Sequence, residues 1–114
     1  MTAEWITVFE TSTYLARADK LLSKAEQEAV VQMIAQDPTC GDLMEGTGGV
    51  RKVRFAIGGR GKSGGARVVY YFHSEAMPVY LLTLFAKNEK SNLAKAERNA
   101  LARLVTALKR AHGR

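Results

Sequence analysis

The sequence predicts a single α+β domain over residues 1–114, with helices packed on a mostly antiparallel sheet of about four strands. A chain of 114 residues is too short to bury two separate cores of useful size. Apolar residues recur at helical spacing towards both ends of the chain, whereas the middle is rich in β-branched and aromatic residues. The predicted order of elements is therefore β-α-α-β-β-β-α.

A short β-type segment at 5–9 precedes two predicted helices, which carry much of the negative charge. Residues 11–22 form the first of them. Ser23 stands three residues before Glu26, which is the spacing of a capping box, so the second helix should begin directly after Ser23. Pro38 ends the second helix, because the residue before a proline disfavours helical backbone.

Three strands are predicted in the middle of the chain, at 50–56, 67–73 and 79–85, and glycine or proline bounds each of them. The connections are short, among them a glycine-rich basic loop at 58–65, and they favour an antiparallel meander. The last segment, 91–112, has apolar residues along one face of a predicted helix and cations along the other.

The net charge of +6 conceals a strong asymmetry between two parts of the chain. Residues 1–45 contain 3 Lys or Arg and 8 Asp or Glu, whereas residues 46–114 contain 14 and 3. No acidic residue occurs from Gly46 to Ser74. The cations of that stretch are Arg51, Lys52, Arg54, Arg60, Lys62 and Arg67. A patch of one sign attracts phosphates, so nucleic acid is the expected partner, with a solubilising surface as the alternative.

Three of these cations are expected to converge on one face of the sheet. Side chains alternate along a strand, so Lys52 and Arg54 point to the same face. If the hairpin closes through the 58–65 loop, Arg67 of the next strand returns beside them. Like charges at this spacing oppose folding, so the cluster indicates an anionic ligand, unless carboxylates from the helices neutralise it.

Other kinds of site are disfavoured by the sequence. The single Cys40 excludes an internal disulfide, and His73 and His112 lack the spacing of metal ligands, so we expect no metal and no cofactor. The segment AIGGRGKS at 56–63 is similar to a phosphate-binding loop, but a strand follows it where a helix is required. No secretory signal and no run of ~20 apolar residues is visible, which predicts a cytoplasmic protein without membrane contact.

The end of the last predicted strand offers further candidates. Lys87 and Lys90 extend the basic surface, and Asn88 can hydrogen-bond a phosphate or cap a helix. Glu89 is either an acid/base group or a solvated residue. Tyr71, in the strand before, is either a platform on which a base stacks or a core aromatic.

Three segments of the chain read GTGGVRKVRFA, GRGKSGGARVVYYF and YLLTLFAKNEKSNL. Together they resemble the HigB branch of the RelE/ParE toxin superfamily. The resemblance continues through FETSTYLARADKLLS and DPTCGDLMEGTGG and so covers nearly the whole chain. It implies a RelE-type fold: a curved antiparallel sheet with two N-terminal helices, a C-terminal helix and one sheet face open as the active site.

The resemblance implies a toxin of a type II toxin–antitoxin system, a metal-independent endoribonuclease that cleaves messenger RNA in the ribosomal A site and inhibits translation. In such enzymes the 2′-hydroxyl attacks the adjacent phosphate. The resemblance gives Lys52, Arg54 and Arg67 the part of the catalytic cations, with Lys52 as the base because an arginine is a poor one. Lys87 would join them, and the general acid would be Lys87, Glu89 or Tyr71, unless ribosomal RNA supplies that help.

A wider set of residues would contact RNA or the ribosome. They are Arg51, Arg60, Lys62, Asn88, Lys90 and Tyr71. The implied partners are the 30S A site with its messenger RNA and a cognate antitoxin protein. Two alternatives stay open: a ParE-like inhibitor of DNA gyrase that cuts no RNA, and a non-catalytic nucleic-acid-binding module.

Overall fold

The computed structural model describes residues 6–57, 65–87, 89 and 93–113. Within these residues the elements, in chain order, are β1 (Val8–Glu10), α1 (Ser12–Leu21), α2 (Lys24–Gln36), β2 (Asp42–Leu43), β3 (Val50–Phe55), β4 (Ala66–Tyr71), β5 (Val79–Ala86) and α3 (Lys95–Gly113). The predicted α+β class is confirmed, with two helices near the N-terminus and one at the C-terminal end.

The strands form one sheet in the order β1-β5-β4-β3-β2. β3, β4 and β5 make the predicted antiparallel meander, and β2 adds an antiparallel edge to β3. β1 pairs with β5 in parallel at the other edge. The described sheet therefore has one strand more than the four predicted. The extra strand is β2, which at two residues is too short to leave a periodic signal in the sequence.

Element boundaries differ from the prediction by a few residues, as they usually do at frayed ends. β1 begins at Val8, where it can pair with β5, and residue 5 lies outside the described part of the chain. β4 ends at Tyr71 because its partner β3 begins at Val50, which faces Tyr71. α3 begins at Lys95 rather than at 91, and residues 91–92 are outside the description.

Both N-terminal helices begin at a side-chain cap. The predicted capping box is confirmed: Ser23 Oγ accepts a hydrogen bond from the Glu26 backbone N–H (3.1 Å), and Glu26 Oε1 accepts one from the Ser23 N–H (2.8 Å). Thr11 Oγ1 accepts from the Tyr14 N–H (3.2 Å) and donates to the Leu81 carbonyl (2.8 Å). The hydrogen bond from Thr11 to the Leu81 carbonyl joins the start of α1 to β5.

Each face of the sheet has its own core. α1 and α2 cover the first face, where the largest buried side chains are Tyr14, Val30, Ile34, Val68, Tyr70, Val79, Leu81 and Leu84. α3 lies on the second face, where the core contains Val50, Val69, Tyr71, Leu82, Phe85 and Val105. Because side chains alternate, the second face continues along β3 and β4 to the predicted cations.

The Tyr14 hydroxyl lies in the first core and has no hydrogen-bond partner among the described residues. Burial raises the pKa of this hydroxyl, and the nearby Glu10 carboxylate raises it further. An unpaired buried polar group costs about 1–3 kcal/mol, so Tyr14→Phe should increase the free energy of unfolding by about 1 kcal/mol. Urea denaturation measures this difference. A comparable decrease would mean that the hydroxyl has a partner after all.

Candidate active site

A groove opens on the second face of the sheet, at the end of β3 and the start of β4. Its volume is about 510 Å³. It is lined by Cys40, Asp42, Lys52, Val53, Arg54 and Arg67, and we refer to it as the cationic groove. The groove thus brings together Lys52, Arg54 and Arg67, which the alternation of side chains predicts to lie on one face of the sheet.

Strand register determines how the cations are arranged. Arg54 of β3 lies directly opposite Arg67 of β4, and Lys52 lies opposite Val69, one step further along the same face. Side chains directly opposite each other on an antiparallel pair have Cβ atoms about 4.5–5.5 Å apart, and two like charges there destabilise the sheet. The pair Arg54–Arg67 is therefore an arrangement that a bound anion would stabilise.

No carboxylate of the described residues neutralises this arginine pair. In residues 6–57, 65–87, 89 and 93–113, the ion pairs are Arg17–Glu89 and Lys24–Asp19, and both lie outside the groove. Arg67 is half-buried, and its Nε is buried without a hydrogen-bond partner in that part of the chain. The alternative in which carboxylates from the helices neutralise the cluster does not apply to Arg54 and Arg67.

The loop from residue 38 to residue 41 forms one wall of the groove and is fixed to the sheet from the first face. The Tyr70 hydroxyl donates to the Pro38 carbonyl and accepts from the Gly41 N–H, both at 2.8 Å. A Cβ on Gly41 would come within 2.7 Å of the Lys52 carbonyl oxygen, so only glycine allows the loop this close to β3. The loop carries Cys40 into the groove and leads directly into β2.

Asp42 is a groove residue that the sequence analysis did not assign to the site. It is exposed, lies opposite Lys52 in the β2–β3 register and is the one carboxylate among the described residues that line the groove. No sequence pattern indicated that Asp42 belongs to the site, because a two-residue strand has no periodicity and Asp42 lies in the acidic part of the chain. The glycine at 41, next to a short polar run, was the available signal.

A sequence model of the family described as "RelE toxin of RelE / RelB toxin-antitoxin system" matches residues 6–113. The chain belongs to the RelE toxin family. Among solved structures, this toxin resembles a mutant of the E. coli toxin RelE in the free state, with a TM-score of 0.58 and 15% sequence identity. The match covers 90% of this chain and 98% of that one, and it shows the RelE fold. The resemblance to RelE toxins is confirmed, while the HigB branch stays a prediction.

Arg51 of the toxin lies on the first face of the sheet, away from the cationic groove. It pairs in register with Tyr70, and its Nη1 donates to the Gly41 carbonyl at 2.8 Å and to the Thr39 carbonyl at 3.4 Å. Its guanidinium therefore helps to hold the groove wall. The structure does not bring Arg51 together with Lys52, although the two are adjacent in the sequence.

Tyr71 lies under α3 and is 1% exposed. Its ring stacks on that of His73 with 6.3 Å between centroids, and burial raises the pKa of its hydroxyl. Of the two interpretations made from the sequence, the structure supports the core aromatic rather than the base-stacking platform.

The toxin's Lys87 and Glu89 lie just beyond β5. The Lys87 N–H donates to the Gly65 carbonyl (2.9 Å), which brings Lys87 to the same end of the sheet as Arg67. Glu89 Oε1 forms an ion pair with Arg17 and accepts from the Ala86 N–H (2.9 Å). The Glu89 carboxylate thus closes the turn after β5, and it does not line the groove.

The remaining predicted contact residues, Arg60, Lys62, Asn88 and Lys90, lie outside the described residues, as does most of the 58–65 loop. Within the description, no three His, Cys, Asp or Glu side chains are grouped so that they could hold a metal ion. No helix there is both long enough and apolar enough to span a bilayer.

Proposed function

We propose that this toxin is a ribosome-dependent endoribonuclease that cleaves messenger RNA in the 30S A site and thereby inhibits translation. The observation that carries the proposal is the cationic groove, in which Arg54 and Arg67 face each other with no carboxylate partner in the described chain. A phosphodiester supplies the negative charge that this pair lacks. Membership of the RelE family supports the same activity.

The proposed reaction assigns roles to Arg54, Arg67 and Lys87. The 2′-hydroxyl of one nucleotide attacks the adjacent phosphorus, and the phosphorane that forms carries one more negative charge than the ground state. Arg54 and Arg67 donate hydrogen bonds to its equatorial oxygens, and these bonds strengthen as the charge develops. Lys87, near the same end of the sheet, supplies a proton to the leaving 5′-oxygen.

The proposed chemistry needs no metal ion and no cofactor. Side-chain cations stabilise the phosphorane, and the nucleophile belongs to the RNA itself. The products are a 2′,3′-cyclic phosphate on one fragment and a 5′-hydroxyl on the other. DNA lacks the 2′-hydroxyl and would not be cut.

The proposed partners follow from the same surface. A cognate antitoxin would neutralise the toxin by covering the cationic groove with an acidic or hydrophobic segment, so that messenger RNA and the ribosome are excluded. The toxin would act in the cytoplasm, where translating ribosomes are found, and without contact with a membrane.

Mapping of RNA ends after induction of the toxin tests this function. We expect new 5′-hydroxyl ends inside codons of translated messages, and the same cuts with purified ribosomes in the presence of a metal chelator that leaves the ribosomes intact. Without ribosomes, the same message should stay whole. Broken DNA with uncut messages would instead support a gyrase inhibitor. Binding without any cut or growth arrest would support a non-catalytic module.

A further inference from the structure

We propose that Asp42 is the general base of the cleavage reaction and takes the proton from the attacking 2′-hydroxyl. This inference rests on the proposed function, since it concerns one step of RNA cleavage in the cationic groove. The family resemblance assigned the role of general base to Lys52, and the inference assigns that role to Asp42 on β2 instead.

Geometry brings Asp42 to the reacting groups. β2 pairs antiparallel with β3 so that Asp42 faces Lys52, and both side chains line the groove with Arg54 and Arg67. A phosphate held between the two arginines therefore has Asp42 on the β2 side of the same cavity. Asp42 is the diagonal neighbour of Arg54 across β2 and β3, and such neighbours are about 7–8 Å apart, a separation that a long arginine side chain and a bound nucleotide can span.

The wall behind Asp42 is held to the sheet by hydrogen bonds. The residue just before it, Gly41, is bonded through its N–H to the Tyr70 hydroxyl and through its carbonyl to Arg51, each at 2.8 Å. A general base has to be held within hydrogen-bond reach of its proton, and these bonds from the opposite face supply that support. The residues that make these bonds are Tyr70 of β4 and Arg51 of β3, two neighbouring strands inside the sheet.

The proton chemistry favours a carboxylate. An arginine cannot accept a proton in proteins, and a lysine accepts one only as the neutral amine. A carboxylate oxygen offers lone pairs that accept a proton, and Asp42 is exposed and takes no part in the ion pairs of the described residues. Glu89 is less suitable, because Arg17 and the Ala86 N–H hold it.

The proton on O2′ passes to Asp42 as the O2′–P bond forms, and the P–O5′ bond breaks as O5′ takes a proton from Lys87 or from water. Asp42 then releases its proton to solvent, and the acid regains one. Lys52 stays on the opposite strand as a cation that attracts the phosphate.

The test compares Asp42→Asn with Glu45→Gln in single-turnover cleavage of ribosome-bound message at saturating toxin. Glu45 is an exposed carboxylate three residues further on that does not line the groove, so its variant controls for the loss of one negative charge. We expect Asp42→Asn to be slower by about 10²- to 10³-fold, with Glu45→Gln within about twofold of the wild type.

The pH profile separates a base from a positioning residue. Cleavage by Asp42→Asn should rise in proportion to hydroxide concentration, because solvent must then take the proton, whereas the wild-type rate should depend much less on hydroxide, because Asp42 takes the proton. Asp42→Glu keeps the carboxylate and should be at least about tenfold faster than Asp42→Asn. A message with a 2′-deoxy nucleotide at the cut site should stay intact with every variant.

Three results would overturn the inference while leaving the proposed function standing: an Asp42→Asn rate within about threefold of the wild type, a slow variant that keeps the wild-type pH profile, or an Asp42→Glu variant no faster than Asp42→Asn. If the wild-type toxin cuts no message, the proposed function itself fails. Thermal melting of each variant shows that it is folded, and the exposure of Asp42 makes a folded variant the expected outcome.

Discussion

Replacing Arg67 by alanine is expected to lower the single-turnover rate of messenger RNA cleavage by about 10²- to 10³-fold. Arg67 faces Arg54 across β3 and β4. In the proposed reaction, the two guanidinium groups together bind the phosphate whose negative charge grows in the transition state. Stability should be unchanged or slightly higher, since the change removes a like-charge neighbour and a buried Nε without a partner.

Two further variants test whether the effect depends on the guanidinium group of Arg67 and whether it is specific to the cationic groove. Arg67→Lys keeps the charge but loses the planar fork of donors, so its rate should fall between those of alanine and arginine. Arg103→Ala removes an exposed arginine of α3 that does not line the groove, and its rate should stay within about twofold of the wild type. Cleavage by Arg67→Ala at the wild-type rate would remove Arg67 from the site.

Replacing Tyr70 by phenylalanine is expected to lower the free energy of unfolding by about 2 kcal/mol. The hydroxyl bonds both the Gly41 N–H and the Pro38 carbonyl, and the change leaves the buried Gly41 N–H without its acceptor. The loop that leads into β2 should then open more often, which faster hydrogen exchange at the Gly41 amide would reveal.

Tyr14→Phe is the matched control for this variant. It removes the same atom from a fully buried tyrosine, but one whose hydroxyl has no partner in the described chain, so the two substitutions should change stability in opposite directions. Equal losses in urea denaturation would mean that the hydrogen bonds of Tyr70 do not hold the groove wall.

The elements that could be predicted from the sequence are those with a local signal. Ser23 and Glu26 indicate the start of α2, because a capping box is formed entirely by residues within one helical turn. The meander follows from β-branched runs and short connections. β2 could not be predicted, since two residues become a strand only through the partner that β3 offers them.

The cations of the site could be predicted for a similar reason. Alternation along a strand is a local rule, so Lys52 and Arg54 could be assigned to one face, and a single hairpin brings Arg67 beside them. The sequence does not say which face a helix covers. The covering of Tyr71 by α3, and the use of Arg51 to hold the loop behind the groove, are decided by tertiary packing.

A structure of the toxin on a ribosome whose A-site codon carries a 2′-O-methyl group at the cut site would show where the scissile phosphate lies relative to the cationic groove. The methyl group blocks attack and keeps the message whole. We expect the scissile phosphate to lie between the Arg54 and Arg67 guanidinium groups at hydrogen-bond distance, with Asp42 facing the methylated oxygen. A codon bound elsewhere on the toxin, with the groove open to solvent, would contradict it.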